Sequence, residues 1–427
     1  MSVHVVGSGE NLWSISKLYG VSIKSIVDVN GLSSAAVVVP GLSLYIPDNT
    51  LPIRAYRIKA GDTPWKLTQE FNSSLSLIRT ANPGLDLNHL RIDQVIYIPS
   101  TKKLIITTLG FLVPSAKTAT LLSIIDSLSR QITYLAVVAY SFTNEGFAFN
   151  EVDDSAIVAK CKQKNIIPLL MIRNYTAMGF NAELAGKVLE SPIYRKNLVT
   201  SIVKLTTDRG FRGVSVDFEF IPPARRHDFN LFLIELKRSL GNLLLHVNVH
   251  AKAADLPTNR IVGAYDYAAI GKTVDLMAVM TIDYGYPGGP PDPIAPYWWV
   301  VQVIKYALTK LNPQKLLIAM PLYGYDKDVM TNTTQALSAL AAQNQAISKR
   351  ATIQFDNTAK SPWYRYWSGT KENIVWFEDI RSYIEKYNLI DIYKLVGTTY
   401  WQISLPAPQN WAYLSKNITV VKNRFYV

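Results

Sequence analysis

From residue 104 onward the chain is written as apolar, β-rich runs with helical stretches between them: LIITTLGFLVP, YLAVVAYSF, IIPLLMIRN, GVSVDFEF, LLHVNVHA, LMAVMTIDYG, LLIAMPLYGY and LVGTTYWQIS. Runs this continuous suit parallel strands buried on both faces, with helices covering the sheet. Eight strand–helix units in about 325 residues predict a closed (β/α)₈ barrel, the TIM barrel. An open doubly wound sheet is the alternative, but no Gly-rich phosphate loop follows the first run. The stretch between the seventh and eighth runs is too long for one helix. TQALSALAAQNQAISKR reads as a helix there, and ATIQFD, SPWYRYWSG and NIVWFEDI read as strands. A small α+β insertion, residues 327–385, at the C-terminal mouth of the barrel is expected.

Before the barrel the chain repeats itself. VHVVGSGENLWSISKLYGVSIKSIVDVNGL…LSLYIP is followed by YRIKAGDTPWKLTQEFNSSLSLIRTANPGL…VIYIP, with Gly9 on Gly61, Trp13 on Trp65, Asn30 on Asn82 and Pro47 on Pro99. Repeats are structural units, and each of these reads strand, helix, helix, strand, with Gly turns and capping residues at the helix starts. The units span residues 1–48 and 54–100, joined by the turn-rich PDNTLPI, and the barrel takes residues 103–427.

Composition narrows the field further. The single cysteine, Cys161, excludes an intrachain disulfide framework. No apolar run reaches the length of a membrane span, and MSVHVVGSGENLW lacks the pattern of a secretory signal. The net charge of +12 sits almost wholly in the barrel, since residues 1–100 hold eight Lys/Arg against seven Asp/Glu. Such a surface suits an anionic partner. Zinc-ligand spacings, RNA-binding signatures and dense basic blocks are lacking, so a nucleic-acid partner is not expected; an anionic cell-wall polymer fits the charge equally well. Nothing predicts a metal or a cofactor, and the oligomeric state is not legible.

The fourth run poses the chemical question. In GVSVDFEF read as a strand, Val214, Val216, Phe218 and Phe220 share one face, while Gly213, Ser215, Asp217 and Glu219 share the other. The active sites of such barrels lie at the C-terminal ends of the strands. Asp217 and Glu219 fall there, pointing inward. Two close acids in an apolar surround raise at least one pKa, and a Glu kept protonated is a proton donor for a leaving oxygen. A structural, salt-bridged acid pair is the other reading of the same two residues.

Four motifs taken in order bear on that choice. RGVSVDFEF resembles the D-G-x-D-x-D-x-E signature of glycoside hydrolase family 18, and MTIDYGYPGGPPDPIAPYWW, MPLYGY and GTTYWQISLPAPQNW stand at the sixth, seventh and eighth strands, where that family has its further motifs. The two repeats resemble LysM modules. Together the arrangement is similar to the spore cortex-lytic N-acetylglucosaminidases of endospore formers, which implies peptidoglycan or another N-acetylglucosamine-containing glycan as partner and a location in the spore coat or cortex. The resemblance implies a substrate-assisted, retaining mechanism. Glu219 would protonate the leaving oxygen, Asp217 would orient the 2-acetamido group that attacks the anomeric carbon, Asp283 would support that acetamide, and Trp401 would floor the sugar. Tyr284, Tyr286 and Tyr325 are expected to bind substrate. Trp363, Tyr364, Tyr366 and Trp367 would either stack on sugars or form the insertion's own core.

The LysM resemblance places a glycan groove between the first strand–helix loop and the second helix–strand loop. By position that means Gly9, Glu10, Asn11 and Leu12 with Asn30, Gly31 and Leu32. In the second module it means Gly61, Asp62, Thr63 and Pro64 with Asn82, Pro83 and Gly84. The chain departs from the hydrolase pattern at Arg212 and Ser215, which stand in the first two Asp positions, and at Ile282, where the family has a Tyr whose hydroxyl meets the acetamido oxygen. Ile282 favours the rival reading, a catalytically impaired glycan-binding or spore-coat structural protein. Tyr284 or Tyr286 would have to replace that hydroxyl. His246 and His250, four apart on a strand, make no metal signature, and His250 reads as a structural histidine or one at the cleft mouth. Asn174 and Tyr175 end the third strand and read as loop residues or substrate contacts.

Overall fold

The computed structural model describes residues 2–34 and 37–422. Eight parallel strands close into a barrel: β1 (Leu104–Leu112), β2 (Tyr134–Phe142), β3 (Ile167–Arg173), β4 (Gly213–Asp217), β5 (Leu244–His250), β6 (Leu276–Met280), β7 (Leu316–Pro321) and β8 (Gly397–Trp401). Closure is made where β1 pairs with β2 at Leu109 and Tyr134 and with β8 at Thr107 and Gly397. Strand alternation sorts the apolar residues into two cores. Leu109, Phe111, Tyr134, Ala136, Leu169, Met171 and Ala278 fill the interior; Val214, Val216, Phe218, Phe229 and Phe232 pack between the strands and the outer helices. The expected barrel is the observed one.

The insertion is a five-stranded antiparallel sheet with one helix, Ala339–Ser348, against it. Its strands are Tyr323–Asp328, Thr334–Ser338, Gln354–Asp356, Ser361–Ser368 and Lys371–Trp376. Thr334–Ser338, expected to be helical, is a strand because it pairs along Tyr323–Lys327; the helix begins only after Ser338, whose hydroxyl caps the Ala341 amide. Register gives this sheet two faces. Tyr325, Trp376 and Trp363 align on one, while Asp326, Val375 and Tyr364 align on the other.

Both modules adopt the expected βααβ form, with helices Leu12–Tyr19 and Ile23–Asn30 in the first and Pro64–Phe71 and Leu75–Ala81 in the second. Asn11 and Thr63 cap the first helix of each, and Ser22 and Ser74 cap the second. Their surroundings differ. The first module shares a core with the insertion, where Val6, Ile15, Ile26 and Leu44 pack with Ala342, Tyr364, Val375 and Phe377. The second keeps its own core, built on Tyr56, Leu67, Phe71, Ile78 and Ile96. It docks on helix Ile380–Tyr393 through Arg54, which donates to Asp391 at 2.7 and 2.8 Å. No helix among the described residues is long and apolar enough to cross a membrane.

Candidate active site

The acids stand at the C-terminal end of β4, but the strand stops at Asp217. Phe220 turns into the left-handed region at φ 56°, where a bulky side chain is strained, and it is 39% exposed instead of sharing the buried face of Phe218. Asn174, fully buried after β3, clamps the peptide at the turn. Its Oδ1 accepts the Glu219 amide at 2.8 Å and its Nδ2 donates to the Glu219 carbonyl at 2.9 Å. Tyr265 adds a third tie, its hydroxyl donating to the Phe218 carbonyl at 2.7 Å. The loop is therefore held by side chains where sheet pairing has ended.

Register between β4 and β5 builds a ladder of polar partners inside the barrel. Ser215 stands beside His246, with Oγ and Nδ1 2.9 Å apart. One step up, Asn248 hydrogen-bonds Asp217. At the mouth, His250 Nε2 lies 3.3 Å from Glu219 Oε2, off the line of a well-formed hydrogen bond. Burial holds the His246 imidazole down to about 3, so the Ser215–His246 rung is neutral where the family signature carries an acid. Asp217 itself is buried. Loss of water and the nearby Glu219 carboxylate push its carboxyl well above the ordinary range, while the Arg173 guanidinium and the Asn248 amide act in the opposite sense. Arg173 ends β3 directly alongside Asp217 in register.

Asp283 faces this pair from the loop after β6, also in the left-handed region at φ 57°. Its Oδ1 accepts two hydroxyls, from Tyr323 at 2.6 Å and Tyr325 at 2.8 Å. Removal from water lifts its carboxyl above the usual range, and the two hydroxyls moderate the rise. Trp401 closes β8 with its ring 5.5 Å from Phe111, and it packs against the cluster of Ile294, Tyr323 and Tyr325. Asp217, Glu219, Asp283, Trp401 and Tyr325 thus converge on one mouth.

Tyr284 and Tyr286 make their contacts elsewhere. The Tyr284 ring packs on Trp298 and Trp299 at 5.2 and 5.4 Å. Tyr286 is 54% exposed, and its ring lies over Gly289, where a side chain would meet it at 2.8 Å. The hydroxyls beside Asp283 come instead from the insertion strand. The four insertion aromatics divide between its faces: Trp363 lies beside Trp376, rings tilted with centroids 5.7 Å apart, in the row that continues from Tyr325, and Trp367 follows it with high exposure. Tyr364 and Tyr366 point to the other face, into the core shared with the first module. Sequence pattern does not single out Asn248, Tyr323 or Arg173. Strand parity alone carries a signal for Asn248, two residues from each histidine.

The two candidate glycan grooves are unequal. In the first module Asn30 is fully buried with every hydrogen-bonding position occupied: Nδ2 donates to the Ile26 and Tyr45 carbonyls, and Oδ1 accepts the Tyr45 amide and Gln409 Nε2. Leu12 and Leu32 lie in the core, and Glu10 is engaged by His4 and the Gly7 amide. A Cβ on Gly31 would stand 2.7 Å from Pro408 and 2.8 Å from Leu340. In the second module Asn82 repeats the clamp, on Ile78 and Tyr97, but Pro83 and Gly84 are exposed and the space around Gly84 is open, while the first loops are alike, with open space at both Gly9 and Gly61. Asn30 and Asn82 are thus clamps first: their side chains are engaged in holding the loop.

Among the described residues no group of three or more His, Cys, Asp or Glu side chains is arranged to hold a metal ion. Comparison with known proteins gives the family. The sequence model of the glycosyl hydrolases family 18 matches residues 112–405, and that of the LysM domain matches residues 4–47 and 56–99. The chain is 33% identical over 433 residues to YdhD of Bacillus subtilis (strain 168), covering 99% of this chain and 100% of that one. It is 30% identical to the cortical fragment-lytic enzyme of Bacillus anthracis, covering 99% of both. The crystal structure of the Bacillus cereus spore cortex-lytic enzyme SleL superposes with a TM-score of 0.86 at 30% identity, covering 99% of this chain and 98% of that one. The chain belongs to glycosyl hydrolase family 18, as a glycosidase-family barrel preceded by two LysM domains.

Proposed function

We propose that the protein hydrolyses β-linkages following N-acetylglucosamine in peptidoglycan, with the spore cortex of an endospore former or its fragments as substrate. The observation that carries this reading is the three-acid mouth, in which Glu219 and Asp217 meet Asp283 held by two tyrosine hydroxyls. Relatives described as cortical fragment-lytic enzymes, matched over nearly the whole chain, support the choice of glycan.

Glu219 delivers its proton to the glycosidic oxygen as the bond to the anomeric carbon breaks. The substrate's acetamido oxygen attacks from the other face, closing an oxazolinium ring, and Asp217 aligns the acetamide and meets its developing charge. Water deprotonated by Glu219 then opens the ring, with net retention. Asp283 bears on the same acetamide, and Trp401 presents an apolar floor to the sugar. The burial that makes an Asp217 carboxylate costly is offset when the positive oxazolinium ring forms beside it, so its charge is favoured most where the reaction needs it. The exposed groove of the second module, Gly61, Asp62, Thr63 and Pro64 with Pro83 and Gly84, holds the polymer and raises the local concentration of substrate.

Glu219→Gln tests the assignment. Amide and acid are nearly isosteric but only the acid transfers a proton, so turnover of purified cortex fragments is lost while binding and folding persist. Near wild-type turnover would overturn it. A second reading, glycan binding with slow or no turnover, is favoured by Ile282 alone; wild-type protein that binds cortex fragments without releasing reducing ends would establish it.

A further inference from the structure

The two modules are equal in sequence pattern but not in environment, and the difference assigns them different work. Three groups from the barrel and its insertion close on the second helix–strand loop of the first module. Gln343 Nε2 donates to the Asn30 carbonyl at 2.9 Å, Asn344 Nδ2 donates to the Gly31 carbonyl at 3.1 Å, and Leu340 with Pro408 fills the space over Gly31. The seam continues on both sides. Ser43 donates to Asp379 at 2.8 Å, the Ile353 amide to the Pro40 carbonyl at 3.0 Å, and Gly41 leaves no room for a side chain beneath the Ile353 carbonyl. A loop that forms one half of a glycan groove is here an internal surface.

The same contacts reach the active site from behind. Val375 and Tyr364, on the back of the insertion sheet, belong to the core of the first module. Tyr325, in the strand paired with Val375's own, sits on the front and holds Asp283. We propose that the first module is a fixed part of the catalytic unit, bracing the sheet that positions Tyr323 and Tyr325, and that LysM-type glycan capture falls to the second module alone. Tyr323 and Tyr325 are then positioned from across the sheet by a segment some 300 residues away in sequence.

The binding half of this inference rests on the glycan reading above; the structural half does not, and two measurements separate them. Ser8 and Ala60 are matched, exposed positions in the first strand–helix loops of the two modules. In full-length Glu219→Gln protein, Ala60→Trp should lower retention on insoluble purified peptidoglycan by about tenfold, while Ser8→Trp leaves it unchanged. Equal losses in both, or loss with Ser8→Trp alone, overturn the partition; a parent protein that is not retained at all overturns the glycan reading and the binding half with it. The second measurement is native-state hydrogen exchange on the wild type. The Tyr45 and Tyr97 amides occupy matched sites, each donating to its module's Asn at 2.8 Å. Tyr45 should exchange only through the opening that releases strand Lys371–Trp376, and Tyr97 through a separate, easier one. Tyr45 opening together with Tyr97, ahead of that strand, overturns the structural half.

Discussion

Asp217 occupies a place where a carboxylate is hard to ionise, and its stability contribution has a definite sign. Its folded-state pKa is raised by burial and by Glu219. The native state therefore holds this proton more tightly than the unfolded chain, and stability falls as pH climbs from the ordinary carboxylate value through the raised one. Every tenfold gain in proton affinity on folding is worth about 1.4 kcal/mol. Asp217→Asn removes the titration, so its melting temperature should exceed that of wild type by more at about pH 7 than at about pH 4; thermal melts at both pH values check this, and a pH-independent gap would count against the burial argument. Its turnover should drop steeply at either pH. A second expectation concerns the hydroxyls that hold Asp283. Tyr325→Phe should lower the rate by a factor on the order of 10², the scale of one lost preorganised donor, with little change in substrate affinity. Steady-state kinetics on soluble cortex fragments would separate the two parameters.

Elements explain what is legible in the sequence and what is not. Continuous apolar runs make the eight strands legible, and alternation places Asp217 and Glu219 on the inner side because the period of a strand is two. The same rule fails at Phe220, where Asn174 and Tyr265 replace sheet pairing and turn the chain. Side-chain ties between distant segments leave no periodic trace. The histidines of β5 become legible as inward-facing only through their register with β4, since spacing within one strand says nothing of its neighbour. Tyr323 carries no such signal because strand β7 ends at Pro321 and a second strand starts two residues later in a different sheet. The loop after β6 illustrates the cost of such ties. Lys327, buried on the insertion strand, donates to the Tyr286, Gly289 and Pro290 carbonyls at 2.7, 3.1 and 2.6 Å. Lys327→Met should strip the Gly289 carbonyl of its donor, leave the Tyr286 and Pro290 carbonyls with only the Gly289 and Asp292 amides, and loosen the loop. Faster protease cleavage within residues 284–293, with a raised KM for cortex fragments, is the expected result.

At the scale of the whole molecule the docking of the second module rests on a concentrated contact. Asp391 is almost wholly buried and receives Arg54 through two hydrogen bonds and the Ala55 amide at 3.1 Å. Removing one partner of a buried pair leaves the other charge desolvated. Lys394, 3.2 Å away, remains as a partner of Asp391, so Arg54→Met should destabilise the docked state by roughly 2 kcal/mol, seen as an earlier, separate transition of the second module in calorimetry, and Asp391→Asn in the same background should recover part of the loss.

The hydrogen bond from the Ser100 amide to the Pro52 carbonyl, at 2.8 Å, makes the two ends of the second module neighbours. In chain order that module lies between the first module and the barrel, yet in space those two are already joined through a common core. The second module is in effect a guest domain threaded into a host whose opening segment is residues 2–48. Excising residues 53–99 with a short glycine splice, together with Asp391→Asn, should yield a shortened protein that still folds, whereas trimming the chain progressively from its start would dismantle the host before it ever reached the guest.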